Sequence, residues 1–516
     1  MKKILIVTGK LAFDSIQELT SDVSDKIEIL KLPISIAAFI SPNILVKSLK
    51  NMDLSKYKYI LCPGLMRGNL SDLESELGIK VYKGPRYAYD IPTTIKSPEK
   101  LSPKKPADII FLEKEIKELE GITQKKIDDQ SFLIGKSDKA VYIGVNSYPI
   151  IIAEIVNAPK LSIEKNIEKA KYYVSQGADI IDIGAIVGED NSKKLKLIVE
   201  SLKEDPILNK VPISIDSLNP AEIESGVEAG ADLILSLDKG NMKELSNLNK
   251  DLGVIVLPTN VKEGFMPHDI NERIEQLNNN IQTAKQLGFR KIIADPLLEA
   301  PINPGLFNSL EAYYSFRKSD SNIPLMFGIG NIIELIDADG VGINAIFACL
   351  AFELRVSAFL TTEYSTKTRG TVIELSNSLK MAFLANKRNM VPKDLPITVL
   401  KSKSKNEFIP QIPLDQVKII EIGKKSQDFY PDTKGFFRIW INHDKAKIFV
   451  AHYRNEGLIN IAFSGTSAED LGKEILTKKL ITSDSHALYL GRELEKAEIC
   501  LNLGKSYMQD MKFGEY

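Results

Sequence analysis

The sequence predicts an α/β protein with a central (β/α)8 (TIM) barrel over residues 140–390, a small flavodoxin/Rossmann-like α/β unit at 1–120 and an α+β unit at 416–516. Three observations carry this. Eight short apolar runs recur between residues 150 and 360 with helical stretches between them. Three of these runs follow a glycine-led phrase of one shape. Polar residues collect directly behind the runs, at the end where such a barrel builds its site.

The first unit alternates apolar runs (Ile4–Val7, Ile27–Leu32, Tyr59–Leu61, Lys80–Tyr82) with polar helical stretches near 11–22, 43–51 and 69–77. That alternation is the pattern of a parallel sheet covered by helices. The run Ile4-Leu5-Ile6-Val7 is too short for a signal peptide and reads as a buried strand. Cys62-Pro63-Gly64 is a tight turn, and Arg67-Gly68-Asn69 leads into a helix, a geometry that can hold an anion or serve only as a structural turn. There is no G-x-G-x-x-G and no P-loop.

Lys, Pro and Ser between Pro92 and Pro106 mark a linker, with a bridging helix at about 107–120. A second break lies near 387–415, where Pro392, Pro396, Pro410, Pro413 and the run Lys401–Lys405 interrupt any periodicity. Between the breaks stand the barrel strands: Ile150–Val156, Ile180–Ile183, Val211–Ile215, Leu233–Leu237, Val254–Leu257, Ile292–Ala294, Leu325–Ile329 and Val356–Leu360. Gly177-Ala178-Asp179, Gly230-Ala231-Asp232 and Gly288-Phe289-Arg290 each precede one. A glycine free to take positive φ ends the helix and turns the chain back into the barrel.

Just past the runs lie Asn157, Asp182, Asp216, Asp238, Thr259, Asn260, Asp295 and Asn331. Each alone could cap the following helix. Together they form a ring of carboxylates and amides without a His or Cys cluster, which suits a hydrogen-bonding pocket for a polar heterocycle better than metal or triad chemistry. Cys62, Cys349 and Cys500 lack CxxC or Cys/His spacing, so neither a disulfide framework nor a zinc site is suggested.

In Ala153-Glu154-Ile155-Val156-Asn157, Gly177–Gly184, Ile213-Ser214-Ile215-Asp216-Ser217, Ala294-Asp295-Pro296 and Gly328-Ile329-Gly330-Asn331 the chain resembles the pterin-binding barrels. These are the dihydropteroate synthases and the methyltetrahydrofolate-type methyltransferases, and the whole arrangement resembles the archaeal dihydropteroate synthase-related proteins. The resemblance implies a reduced pterin of tetrahydromethanopterin or tetrahydrofolate type, contacted by Asp216 and Asp295 and further by Asp182, Ser236 and Asp238. It implies catalytic roles for Asn157 and Asn331, which would approach the ring and its reactive side.

The departures matter as much. Dihydropteroate synthases usually follow the seventh strand with a Ser-Arg-Lys type sequence and end the eighth with Arg-x-His, gripping a departing pyrophosphate. Here Gly328-Ile329-Gly330-Asn331 and Thr361-Thr362-Glu363-Tyr364 stand instead, with Lys367 and Arg369 as partial substitutes and His268 expected at the surface. The Gly-x-x-Asn shape resembles the methyltransferase branch, although that branch's strand-four asparagine is replaced by Leu235-Ser236. Three readings stay open. They are methyl transfer from a methyl-tetrahydropterin to a corrinoid protein or thiol, condensation of a pterin methyl diphosphate with an arylamine, and a non-catalytic pterin carrier.

The C-terminal unit reads as a hairpin, Phe436–Ile441 and Lys447–Tyr453 around Asn442-His443-Asp444, followed by a helix capped by Ser467-Ala468-Glu469-Asp470. The cluster Arg492, Glu493, Glu495 and Lys496 is expected on a solvated helix face. With 67 basic and 68 acidic residues the chain has no general attraction for nucleic acid or anionic membrane, and no run approaches the ~20 apolar residues of a span. A reducing cytoplasm fits, and a homodimer is compatible with the reading.

Overall fold

The structure, a computed structural model, describes residues 2–111, 113, 130–136, 138–393, 395, 397–402, 418–422, 432–454 and 457–513. Of the bridging helix, 107–111 and 113 are helical, while 112 and 114–120 lie outside the described residues. So do Pro396, Pro410, Pro413 and Lys403–Lys405 of the second break.

The first unit holds four parallel strands, β1 (Lys3–Thr8), β2 (Ile27–Lys31), β3 (Tyr57–Cys62) and β4 (Val81–Lys83), in the order β2-β1-β3-β4. Alternate residues of β1 feed two cores, Leu5 and Val7 on one face and Ile4 and Ile6 on the other. A parallel sheet buried on both faces therefore reads as a continuous apolar run. Before the helix Ser71–Leu77, Asn69 Oδ1 accepts from Ser71 N at 3.0 Å and Ser71 Oγ at 2.7 Å, so the asparagine of that turn holds the helix start.

The middle unit is a closed parallel barrel of β7 (Ile150–Ile155), β8 (Ile180–Gly184), β9 (Ile213–Asp216), β10 (Leu233–Leu237), β11 (Gly253–Val256), β12 (Lys291–Ala294), β13 (Leu325–Gly328) and β14 (Val356–Thr362). Each expected strand is present, shifted by at most two residues at either end. Gly177, Gly230 and Gly288 take φ of 103°, 107° and 96°, and Asp179 and Asp232 of the same phrases accept from Ile151 N at 2.8 Å and Ile213 N at 3.1 Å on neighbouring strands.

A hairpin of β5 (Phe132–Ile134) and β6 (Val141–Ile143) was not foreseen. Its Ile134, Val141 and Ile143 join Ile150, Ile180, Leu233, Ile255 and Met326 in the barrel's interior core. The hairpin closes the amino-terminal end, as Lys291 Nζ donating to the Leu133 carbonyl at 2.9 Å also requires. Full burial of one such aliphatic side chain contributes about 1.5–3 kcal/mol, so this floor leaves the opposite rim free to be polar.

The C-terminal unit is an antiparallel sheet of β15 (Phe436–Asn442), β16 (Lys447–Tyr453) and β17 (Ile459–Gly465), with helices Ala468–Thr477 and Asp484–Leu503. Ser467 Oγ caps the first helix by accepting from Asp470 N at 3.2 Å. The expected solvated face is corrected: Arg492 and Glu495 are exposed, but Glu493 is 1% exposed and accepts from Lys496 Nζ at 2.9 Å and Tyr507 Oη at 2.9 Å. A carboxylate is tolerated there because the tail folds back to pair it. Among the described residues no helix is long and apolar enough to cross a membrane.

Candidate functional site at the barrel mouth

Strand alternation determines which polar residues enter the barrel. Ile150 and Ile152 of β7 face the interior, so the next inward position is Glu154; on β8 Ile180 is followed by Asp182 and then Gly184. Across the ladder Glu154 pairs with Asp182, Asp182 with Ser214, and Gly184 with Asp216. Carboxyl oxygens of Glu154, Asp182 and Asp216 consequently lie within 4.8 Å of one another. Gly184 makes room for this: a Cβ there would stand 2.5 Å from Glu154 Oε1.

The trio is electrostatically strained. Asp182 is fully buried, accepts from Ser214 Oγ through one oxygen and has no partner for Oδ2 among the described residues. Burial first, then the Asp216 and Glu154 charges, hold its carboxyl well above the usual range. Burial pushes Asp216 up to about 7, and burial together with Asp216 and Glu334 pushes Glu154 up to about 8. Three carboxyls so close cannot all ionise. The set holds protons near neutral pH, and the same oxygens could hold a divalent cation.

Beside the trio opens a cleft of about 200 Å³ lined by Glu154, Asn331, Glu334, Thr362 and Tyr364 among others. Asn331 sits at its exposed edge, in the first turn of the helix Gly330–Glu334. Glu334 Oε1 is buried without a partner among the described residues. The structure thus brings Asn331, Asp182 and Asp216 to one place through Glu154, which the sequence had not singled out.

Asp295, one residue past β12, is 6% exposed. The Tyr313 hydroxyl reaches both Asp295 Oδ1 and the Met326 carbonyl at 2.6 Å, and Leu297 N donates to Oδ1 at 2.8 Å. Both contacts use Oδ1, leaving Oδ2 for a ligand. Burial pushes this carboxyl up to about 6, opposed by the Tyr313 and Leu297 hydrogen bonds and the Arg273 charge. Arg273, wholly buried on the helix Ile270–Gln286, donates to the Pro267 carbonyl at 3.1 Å, the Leu297 carbonyl at 3.3 Å and Glu299 Oε2 at 2.6 Å. It fixes the loop that carries Asp295.

Asn157 follows β7 at φ 51°, a left-handed turn that asparagine tolerates well. Its side chain has no hydrogen bond to the described residues. Ser236 is buried, its carbonyl accepting from Asn241 Nδ2 at 3.0 Å.

Asp238, expected to contact the pterin, is held by two neighbouring loops. Oδ1 accepts from Gly240 N at 2.8 Å and Asn241 N at 3.2 Å, and Oδ2 from Thr259 Oγ1 at 3.0 Å and Val261 N at 2.7 Å. A carboxylate has about four acceptor positions, and those of Asp238 tie two loops together. His268 is exposed, 3.6 Å from Glu299. Lys367 Nζ pairs with Asp337 at 2.9 Å, and Arg369 Nη1 donates to the Gly504 carbonyl at 3.3 Å, so the expected substitute cations are engaged elsewhere.

Fold and family model together define a pterin-binding barrel protein. The family described as pterin binding enzyme matches residues 156–333, a family of unknown function matches 2–86, and PterinBD-DUF4346 matches 431–510. The chain is 36% identical to the uncharacterized protein MJ0107 of Methanocaldococcus jannaschii, over 98% of each. It belongs to that protein's family. A dihydropteroate synthase of Clostridium beijerinckii is 29% identical over 26% of this chain and 54% of its own. Among solved structures, the Burkholderia cenocepacia dihydropteroate synthase complexed with 7,8-dihydropteroate is 17% identical, covering 50% of this chain and 99% of that one with a TM-score of 0.39. For the Xanthomonas albilineans enzyme the values are 15%, 51%, 100% and 0.38.

Proposed function

We propose that the barrel mouth binds a reduced pterin of tetrahydromethanopterin or tetrahydrofolate type and transfers a methyl group from it to a corrinoid carried by a partner protein, or to a thiol. The residues fit such a ring. The Asp216 carboxyl, beside Glu154 and Asp182, accepts no hydrogen bond from the described residues, and Asp295 has Oδ2 free, so each in its ionised form can accept from the N–H and NH2 groups of a pterin by charge-assisted bonds. A methyl-tetrahydropterin supplies the methyl group at N5, transferable once that nitrogen gains positive character. Glu154, holding its proton to about pH 8, is the proton source in this reading. Asn331 orients and hydrogen-bonds the same edge, and Asn157, without a hydrogen bond to the described residues, covers the ring.

One observation carries the choice of chemistry: the cleft joining Asn331 to Glu154 has no Lys, Arg or His among its described lining residues. A departing diphosphate needs cations aimed at it, whereas this acidic lining favours a protonated ring. The 29% likeness to a dihydropteroate synthase favours condensation with an arylamine as the second reading. Parallel assays decide: demethylation of methyl-tetrahydromethanopterin and methyl-tetrahydrofolate by cob(I)alamin or a thiol, against condensation of a pterin methyl diphosphate with 4-aminobenzoate. Methyl transfer is expected, and rapid condensation without it overturns the proposal.

A further inference from the structure

The N-terminal unit contains a cavity of about 90 Å³ at the carboxyl ends of β1 and β3. In the order β2-β1-β3-β4 the chain leaves β1 toward one side and β3 toward the other, so the loops behind these strands diverge and a crevice opens between them. Two glycines let neighbouring loops close over it. A Cβ on Gly9 would lie 2.8 Å from the Ile34 oxygen and the Ala37 nitrogen, and one on Gly64 would lie 2.5 Å from the Gly84 oxygen.

The cavity floor is apolar, made by Ile6, Ile16, Leu61 and Ile91. Two residues beyond Ile6, on the same face of β1, Thr8 lines the cavity while being 1% exposed, and its Oγ1 has no hydrogen-bond partner among the described residues. A buried hydroxyl left unpaired destabilises the fold, and nothing in the unit's own packing compensates it. Arg86 is the charged side chain among the described lining residues, which include no carboxylate; Asp108 pairs with it. Its Nε is held by Asp108 Oδ2 at 2.7 Å, which leaves Nη1 and Nη2 for another acceptor. The helix Lys10–Leu19 begins beside the cavity, its Lys10 and Leu11 amides donating to the Ile34 and Ser35 carbonyls at 2.7 and 3.1 Å.

We propose that this cavity binds a small organic anion, a carboxylate or phosphate monoester on a short apolar body. The head accepts from Thr8 Oγ1 and Arg86, and the body rests on Ile6, Ile16, Leu61 and Ile91. A flavin or dinucleotide is too large, since pockets for drug-sized molecules run to about 300–1,000 Å³. The inference is independent of the barrel's chemistry.

Fluorine NMR on the full chain tests it, with trifluorobutyrate and trifluoroethyl phosphate as probes and inorganic phosphate as a competitor bearing only a head group. Saturable broadening of at least one probe is expected, and the tighter probe identifies the head group. Thr8→Val should weaken that probe about tenfold, the scale of one hydrogen bond to a charged group, while raising the melting temperature of the ligand-free protein. Ala12→Phe should fill the cavity and abolish probe binding with pterin affinity unchanged; Arg86→Gln, at the rim, gives a second weakening variant if Ala12→Phe does not fold. Absence of saturable binding, or equal binding by wild type, Thr8→Val and Arg86→Gln, overturns the proposal.

Discussion

Glu154 and Asp182 are direct partners across the β7–β8 ladder, with carboxyl oxygens within 4.8 Å of each other and of Asp216. Such a pairing is unfavourable between two charges and favourable when a proton is shared. The consequence reaches both stability and chemistry.

For stability the sign follows from linkage. Glu154 titrates near 8 in the fold, above its ordinary 4.5, so its protonated form is the one folding favours. That contribution is complete below about pH 4.5 and disappears as the pH rises through about 8. Glu154→Gln keeps the shape without the charge. Its melting temperature should equal or exceed the wild type's, with the gap widening between about pH 6 and pH 9. Thermal melts across that range check it; parallel pH profiles would show that Glu154 is already ionised without cost.

Ligand affinity should divide the acidic residues. Asp216→Asn and Asp295→Asn are each expected to weaken reduced-pterin binding by about 2–4 kcal/mol, because a charged acceptor becomes a mismatched amide. Asp238→Asn should leave affinity nearly intact and lower stability by about 1–3 kcal/mol, since its four acceptor contacts hold loops. Calorimetry with denaturant unfolding on the same variants separates the two effects. Loss of affinity in Asp238→Asn equal to that in Asp216→Asn would return Asp238 to the pocket.

The barrel strands were legible because each is an apolar run, three of them behind a helix-ending glycine, with polar residues collecting at the run's end. Asp216 and Asp295 were legible for the same reason, lying at strand ends. Glu154 was within reach of sequence reasoning too: counting by two from Ile150 and Ile152 turns it inward. Asp238 could not be separated from them, since a strand-end carboxylate looks the same whether loops or ligands fill its acceptor positions. Tyr313, Arg273 and Glu334 come from helices, and no periodicity announces which helical polar residue will reach over a barrel rim. The hairpin at 132–143 escaped because its strands have three residues each.

Arg273 gives a purely structural expectation. Its side chain is 1% exposed and Glu299's 11%, with 2.6 Å between charged atoms. Arg273→Met should leave Glu299 nearly buried without its cation and cost about 3–5 kcal/mol in denaturant unfolding. Arg273→Met with Glu299→Gln should recover much of that loss. A single variant as stable as the wild type would mean that water already screens the pair.

The sharpest expectation concerns Asn331 against the two cations behind β14. Asn331 stands with Glu154 on one cleft, whereas Lys367 is paired with Asp337 and Arg369 with the Gly504 carbonyl of the C-terminal unit. A methyltransferase needs a hydrogen-bonding group at the reacting nitrogen as charge develops there; a synthase needs cations on the leaving diphosphate. Asn331→Ala should therefore lower methyl transfer from a methyl-tetrahydropterin by about 10²-fold or more, the scale of one transition-state contact. Lys367→Ala with Arg369→Ala should leave that rate within about threefold, because both side chains end outside the cleft. The double variant should still lose some stability, since Arg369 joins the barrel to the C-terminal unit. Single-turnover kinetics with each variant decide it. Arylamine condensation by the wild type that disappears in the Lys367/Arg369 double variant, with Asn331→Ala unaffected, would reverse the assignment and make those two residues the grip of a synthase.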